Sequence, residues 1–267
     1  GIGEATARKF AKEGWKVIVS ARRVELLEKL SSDENIFSYP LDVTDQIQTK
    51  QVFEKIINDH KQIDLCIFSS GTYERKSEKE LDVQNIRHVI EVNFLGVINC
   101  VSAVEKYYKD KNNGHIAIVS SPVGYRGLPK SSGYTPSKAA LNNFTQGIYF
   151  DFKKFNIKVS LITPGFIKTA LTDKNDFKMP FLKSTKYAAN EIFDGLTKNN
   201  NFEIIFPYQI KLIYKLIQIL PNKIYNGLVN KNNFEIIFPL PIKIIYKLIQ
   251  ILPNRLYNYL ISKSVNR

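Results

Sequence analysis

Along the first two hundred residues, short apolar runs alternate with longer segments of helical period. Val17-Ile18-Val19, Leu65-Cys66-Ile67-Phe68, Ile116-Ala117-Ile118-Val119 and Val159-Ser160-Leu161-Ile162 are each bounded by polar or Gly/Pro residues and are too short to be helices. Between them, residues 5–13, 24–30 and 46–58 carry apolar side chains at helical spacing. Uninterrupted apolar strands separated by helices need cover on both faces, which an α/β fold around a parallel sheet supplies. The pattern runs to about residue 206, so residues 1–206 are expected to form one domain and residues 207–267 a tail.

At 267 residues the chain can bury a sizeable core, and 44% hydrophobic with 24% charged residues excludes wholesale disorder. No uninterrupted apolar run approaches the ~20 residues of a spanning helix. Cys66 and Cys100 cannot make a disulfide scaffold, and no Cys/His cluster has zinc spacing, so no metal and a cytoplasmic setting are expected. The chain opens on Gly1-Ile2-Gly3 without a signal peptide, and Met179 is its one methionine. The expectation is that the true N-terminus, with a strand leading into Gly1, lies upstream.

The net charge of +13 is uneven: residues 198–267 hold ten Lys/Arg against Glu203 and Glu235, or +8. An anionic partner and a lysine-rich composition both account for this. The tail also repeats itself. Phe202-Glu-Ile-Ile-Phe-Pro207 returns at 234–239, and residues 214–222 return at 246–254. Two copies are too few for a solenoid and read as a tandem duplication of one strand-helix unit. Residues 210–220 and 242–252 each set a narrow Lys/Lys/Gln stripe in a broad apolar face. Such helices suit an anionic membrane interface or packing against protein. With no recognition fold beside the charge, nucleic acid is not an expected partner.

Four Tyr-x-x-x-Lys pairs occur: Tyr107/Lys111, Tyr134/Lys138, Tyr149/Lys153 and Tyr259/Lys263. Only Tyr134 has a serine thirteen residues upstream, Ser121, just beyond an expected strand. Gly1-Ile2-Gly3 at a helix start suits a pyrophosphate, because glycine lets backbone N–H groups approach it at the positive end of the helix. After the strand at 17–19, where an acidic residue would bind ribose hydroxyls, stand Ala21-Arg22-Arg23. Arg22 can pair with a 2′-phosphate, which favours NADP(H) over NAD(H).

In order, Gly1-Ile2-Gly3, Ala21-Arg22-Arg23, Leu41-Asp42-Val43, Val92-Asn93, Ser120-Ser121, Tyr134-Thr-Pro-Ser-Lys138 and Thr163-Pro-Gly-Phe-Ile-Lys-Thr169 resemble the short-chain dehydrogenase/reductase family over residues 1 to about 206. The resemblance implies a Rossmann-type doubly wound sheet and a homo-oligomer. It also implies a catalytic tetrad of Asn93, Ser121, Tyr134 and Lys138, with Asn93 anchoring a proton-relaying water. Asp42 and Val43 would contact adenine, Ser69 and Gly71 would line the cofactor cleft, and Pro164, Gly165, Ile167 and Thr169 would hold the nicotinamide side. The family's Asn-Ala-Gly is here Ser69-Ser70-Gly71, which keeps a hydrogen-bonding side chain.

Hydride transfer to a carbonyl builds oxyanion charge and requires a proton. A tyrosine, titrating near ~10, needs positive charge to approach neutrality, and a lysine one helical turn away supplies it. The expectation is an NADP(H)-dependent carbonyl reductase or alcohol dehydrogenase acting on an apolar, lipid-like substrate, cytoplasmic or peripheral on a membrane. The alternative is a catalytically silent Rossmann-fold protein that binds at a membrane.

Overall fold

The computed structural model describes residues 1–73, 81–175, 179–199 and 201–229. The second copy of the repeat, with the strand expected at 234–238 and the helix at 242–252, lies outside the described residues. The chain divides into two compact units, residues 1–211 and 212–267.

The first unit is a layered α/β domain with strands β1 (Val17–Ala21), β2 (Ile36–Pro40), β3 (Leu65–Phe68), β4 (Gly114–Val119), β5 (Ile157–Pro164) and β6 (Glu203–Phe206). Its helices are α1 (Ile2–Lys12), α2 (Val24–Leu30), α3 (Gln46–His60), α4 (Val83–Ile90), α5 (Gly96–Lys111), α6 (Tyr134–Lys153) and α7 (Thr185–Thr197). All strand pairings are parallel: β1 with β2, and β3-β4-β5-β6 as a second sheet. Among the described residues β1 and β3 each pair on one edge only. All four strands expected from apolar runs form, while β2, without such a run, is legible only in the structure.

Side-chain alternation along the strands sorts the core into two layers. Cys66 and Phe68, Ile116 and Ile118, and Ile157 and Val159 pack with residues of α3, α5 and α6. Leu65 and Ile67, Ala117 and Val119, Ile162, Ile204 and Phe206 point the other way, with Phe10 of α1 and Ile192 and Phe193 of α7. A smaller cluster of Ala7, Leu30 and Ile36 closes α1 and α2 over β2.

Caps set the helix limits. Asp45 and Asp82 accept hydrogen bonds from Gln48 N and Asn85 N to start α3 and α4, and Ser184 accepts from Tyr187 N to start α7. Lys61 (φ 65°) and Asn112 (φ 49°) end α3 and α5 in the left-handed region.

Glu203–Phe206 docks on the free edge of β5, so the first repeat copy supplies that strand, with Phe202 just outside it. Helix α8 (Tyr208–Ile219) follows, then α9 (Asn222–Val229). Ile210, Ile213, Tyr214 and Ile217 of α8 are buried, while Lys215 and Gln218 are exposed. Leu212 and Ile219 on the same helix are exposed. Among the described residues one helical run, Val83–Lys111, is long and apolar enough to cross a membrane. In the fold its Val89, Val97, Val101 and Val104 are buried in the protein.

Candidate active site

The expected catalytic residues come from three places and meet beyond the C-terminal ends of β3 and β4. Asn93 lies in a π-helical turn, Glu91–Leu95, between α4 and α5. Such turns re-aim a side chain out of the regular helical ladder and often mark functional sites. Asn93 is fully buried. Its Oδ1 accepts from Thr72 N (2.7 Å), and its Nδ2 donates to Thr72 O (3.0 Å) and Ser137 Oγ (3.1 Å).

Ser121 follows β4 and caps the short 3-10 turn Pro122–Tyr125. Gly124 in that turn lies against α6: a Cβ there would come within 2.7 Å of the Lys138 carbonyl and Asn142 Nδ2. Only glycine lets this turn sit so close to the helix that carries Tyr134 and Lys138.

Tyr134 opens α6 and Lys138 follows one turn later. Lys138 is buried, with Nζ 5.8 Å from the Tyr134 ring centroid and donating to Val119 O at 3.1 Å. Burial pushes its ammonium down to about 8. Burial likewise pushes the Tyr134 phenol up to about 12, against a hydrogen bond with Ser121 that lowers it and a neighbouring Tyr73 that raises it. The sequence led to the expectation of a phenol drawn toward neutrality by Lys138 together with an oxidised nicotinamide. In the protein itself desolvation wins.

The expected cofactor residues lie around this group. A Cβ on Gly71 would be 3.7 Å from Asn93 Oδ1 and 3.8 Å from Lys138 Nζ, and one on Gly3 would be 3.6 Å from Ser69 Oγ. The Ser69–Gly71 segment thus links the start of α1 to the tetrad. Gly1 is the N-cap of α1, but Ile2 and Gly3 are already helical, since Ala5 N bonds Gly1 O. The three residues are a helix start, as expected from sequence.

Arg22 and Asp42 stand just past the ends of β1 and β2, 3.8 Å apart, Arg22 exposed and Asp42 half-buried. Hydrogen bonds from Thr44 N and Oγ1, with Arg22 beside it, hold the Asp42 carboxyl below its usual range. Val43 is tied to α5 by Asn99 Nδ2 on its carbonyl, 2.9 Å away.

Pro164 ends β5, and Gly165 N donates to Phe206 O (2.7 Å). The Ile167 side chain is buried in the core, leaving only its backbone for a ligand. Thr169 N donates to Thr172 Oγ1 (2.9 Å). Asn93, Ser121, Tyr134, Lys138 and Gly71 are thus brought together, while Arg22 pairs with Asp42, Gly165 with Phe206 and Thr169 with Thr172. Thr72, Tyr73 and Lys174 are site neighbours that carried no sequence motif, and Ser137 lies inside the Tyr134–Lys138 motif without an expected role of its own.

The donor set fits a nicotinamide cofactor. Lys138 has three N–H donors and, among the described residues, one hydrogen bond, so a buried ammonium is left able to hold ribose hydroxyls. The glycines at 3 and 71 leave room for a close approach. The described residues contain no cluster of His, Cys, Asp or Glu able to hold a metal.

Comparison with known proteins identifies the arrangement. The family model for short chain dehydrogenases matches residues 1–179. The chain belongs to that family. It is similar to a 3-oxoacyl-[acyl-carrier-protein] reductase of Thermotoga maritima, 34% identical over 179 residues, 65% of this chain and 73% of that protein. It is also similar to a 3-ketodihydrosphingosine reductase of Bacteroides thetaiotaomicron, 29% identical over 213 residues, 73% of this chain and 74% of that protein. Among solved structures it resembles ElxO with NADP bound, at a TM-score of 0.70 and 28% identity, over 77% of this chain and 93% of that one. This short-chain dehydrogenase therefore has the Rossmann-type fold and oxidoreductase class that its motifs implied.

Proposed function

We propose that this short-chain dehydrogenase reduces a ketone on a long apolar chain, using NADPH, with Tyr134 as general acid. The observation that carries the proposal is the meeting of the half-buried Tyr134 with the buried Ser121 and Lys138, with Asn93 behind them. The bound cofactor would supply the hydride. Ser121 Oγ would hold the substrate oxygen, and the Tyr134 hydroxyl would deliver the proton that neutralises the developing oxyanion. A phenol raised to about 12 stays protonated at neutral pH, which suits it to donate. Lys138 would bind ribose hydroxyls and lend positive charge when protonated, and Asn93 would keep the Thr72 backbone in place.

Two further observations support the finer assignments. Arg22 at the end of β1 offers a guanidinium to a 2′-phosphate, and the ElxO structure holds NADP. The names of the two reductases above both describe a 3-ketone on an extended chain, which supports the same substrate class here.

The test is NADPH consumption with 3-oxoacyl thioesters, long-chain 3-ketones and steroid ketones, for the wild type and Tyr134→Phe. Tyr134→Phe keeps the ring and removes the proton, so turnover should fall by ~10²–10⁴ while NADPH affinity stays within a few-fold. Retention of more than about a tenth of wild-type kcat would remove Tyr134 from the role of acid.

A further inference from the structure

We propose that Tyr73 is a positioning residue for Tyr134: its ring, held in place from two sides, walls the phenol off from water and fixes where it points. The inference rests on Tyr134 being the general acid.

Tyr73 is buried, and its ring meets the Tyr134 ring edge-on, with centroids 5.0 Å apart and planes at 65°. It lies past the end of β3 in irregular chain, where among the described residues no regular element holds it. Two contacts do so instead. Asn93 grips the backbone of the preceding residue, Thr72, through both its N–H and its carbonyl. From the opposite side Lys174, in the 3-10 turn Thr172–Lys174, donates to the Tyr73 carbonyl at 3.3 Å.

The chain after β3 is thus pinned to the turn after β5, and the ring between these pins lies on the acid. An aromatic ring packed this way excludes water from its neighbour and removes rotational freedom from it. Among the described residues three polar groups accompany the Tyr134 phenol: the Ser121 hydroxyl from the segment after β4, the Lys138 ammonium on its own helix, and the Tyr73 phenol itself. None is a carboxylate. Removing the Tyr73 ring therefore admits water, relaxes the desolvation that raises Tyr134, and lets it ionise at lower pH.

The experiment labels tyrosine with ¹³C at Cζ and assigns Tyr134 as the resonance missing from Tyr134→Phe. Wild type, Tyr73→Ala, Tyr73→Phe and Lys174→Ala are then titrated without substrate. Tyr73→Ala is expected to lower the Tyr134 midpoint by about 1 unit or more, and Tyr73→Phe, which keeps the ring, to restore it to within ~0.5 unit of wild type. Lys174→Ala, which cuts the tie without hollowing the core, is expected to shift the midpoint in the same direction by less. In NADPH-dependent reduction of ethyl 3-oxodecanoate, Tyr73→Ala is expected to lose about tenfold in kcat/KM, with its alkaline limb moved by the same interval as the resonance.

An unmoved Tyr134 midpoint in both Tyr73→Ala and Lys174→Ala, with circular dichroism unchanged, overturns the inference. Absence of ketone reduction by the wild type counts against the catalytic reading alone, because the titration needs no turnover and still decides whether Tyr73 governs Tyr134.

Discussion

Asn93 holds Thr72 by both of its backbone groups, accepting from the N–H at 2.7 Å and donating to the carbonyl at 3.0 Å. A side-chain amide is the one group of this size with a donor and an acceptor set to make that pair of bonds. The π-helical turn at Glu91–Leu95 brings the amide to Thr72, and its remaining N–H reaches Ser137 on α6. One buried residue thus joins the segment after β3, the α4–α5 junction and the helix that carries Tyr134 and Lys138.

Asn93→Ala should therefore cost stability and activity together. It strips Thr72 of both partners, and leaving a part-buried backbone donor and acceptor without them gives an expected loss of about 2 kcal/mol. Asn93→Asp, which still accepts from Thr72 N but cannot donate to its carbonyl, should fall between the two. Urea unfolding of the three proteins checks the order. If Asn93→Ala matched the wild type, the grip on Thr72 would not be part of what holds the site.

Arg22→Ala should weaken NADPH much more than NADH. Only NADPH has a 2′-phosphate to lose, and a charge-assisted contact is worth ~1.5–3 kcal/mol when well formed. Arg22 is 59% exposed and shares its charge with Asp42, so the loss belongs at the low end, about tenfold in Kd. Fluorescence titration with each cofactor measures it. Equal weakening of both would assign Arg22 a structural part through Asp42.

Much of this site could be read in the sequence, because strand-end positions and spacing from strands are local properties. Ser121 was distinguishable by its place just beyond the apolar run 116–119, and Lys138 by its single-turn offset from Tyr134. The two-layered core follows from alternation, with Ile116 and Ile118 on one face and Ala117 and Val119 on the other. What could not be read depends on tertiary partners. The π turn has no pattern in Glu91-Val-Asn-Phe-Leu95 apart from the bonds Asn93 makes across the fold. Tyr73 sits in chain of no regular period, and its meaning comes from Tyr134, sixty-one residues on. The phenol's upward shift was missed because burial has no local signature, while the opposing lysine was in plain view.

His115 gives the acid limb of stability its sign. Desolvation, with Lys158 paired opposite it on β5, holds its imidazole down at about 4, against an ordinary 6.5. Both states are neutral above 6.5. As the pH falls below that, the unfolded chain takes up a proton that the folded chain refuses, so stability is lost progressively down to about 4. By about pH 5 this amounts to roughly 2 kcal/mol. His115→Gln retains a group able to bond Ser160 Oγ, now 2.9 Å from Nε2, but does not titrate. Urea midpoints near neutrality and near pH 5 should therefore differ less in the variant than in the wild type. The same pH dependence in both would place the acid sensitivity elsewhere.

The tail repeat permits a deletion that tests how much of it the fold needs. Removing residues 208–239 joins Pro207 directly to Leu240 and keeps β6 on the edge of β5. The register then sets Ile242, Ile245, Tyr246 and Ile249 where Ile210, Ile213, Tyr214 and Ile217 stand in α8. Those four positions are the buried ones, and the replacements are identical in type. Ile210 matters most to the site, because a Cβ on Gly165 would lie 2.8 Å from its Cγ1, and Ile242 restores the same side chain there. Pro241 takes the place of Gln209 in the first helical turn, where a missing N–H is tolerated. The lysines at 211 and 215 are likewise matched by Lys243 and Lys247. The shortened protein should therefore fold, bind NADPH within a few-fold of the full chain, and unfold at a urea midpoint close to it. An aggregated product, or one that no longer binds cofactor, would mean that the second unit is built into the domain. Co-sedimentation of both forms with anionic vesicles adds the membrane question. With Ile210, Ile213, Tyr214 and Ile217 of α8 buried, both should stay in solution, and pelleting of the full chain alone would assign lipid binding to the duplicated segment.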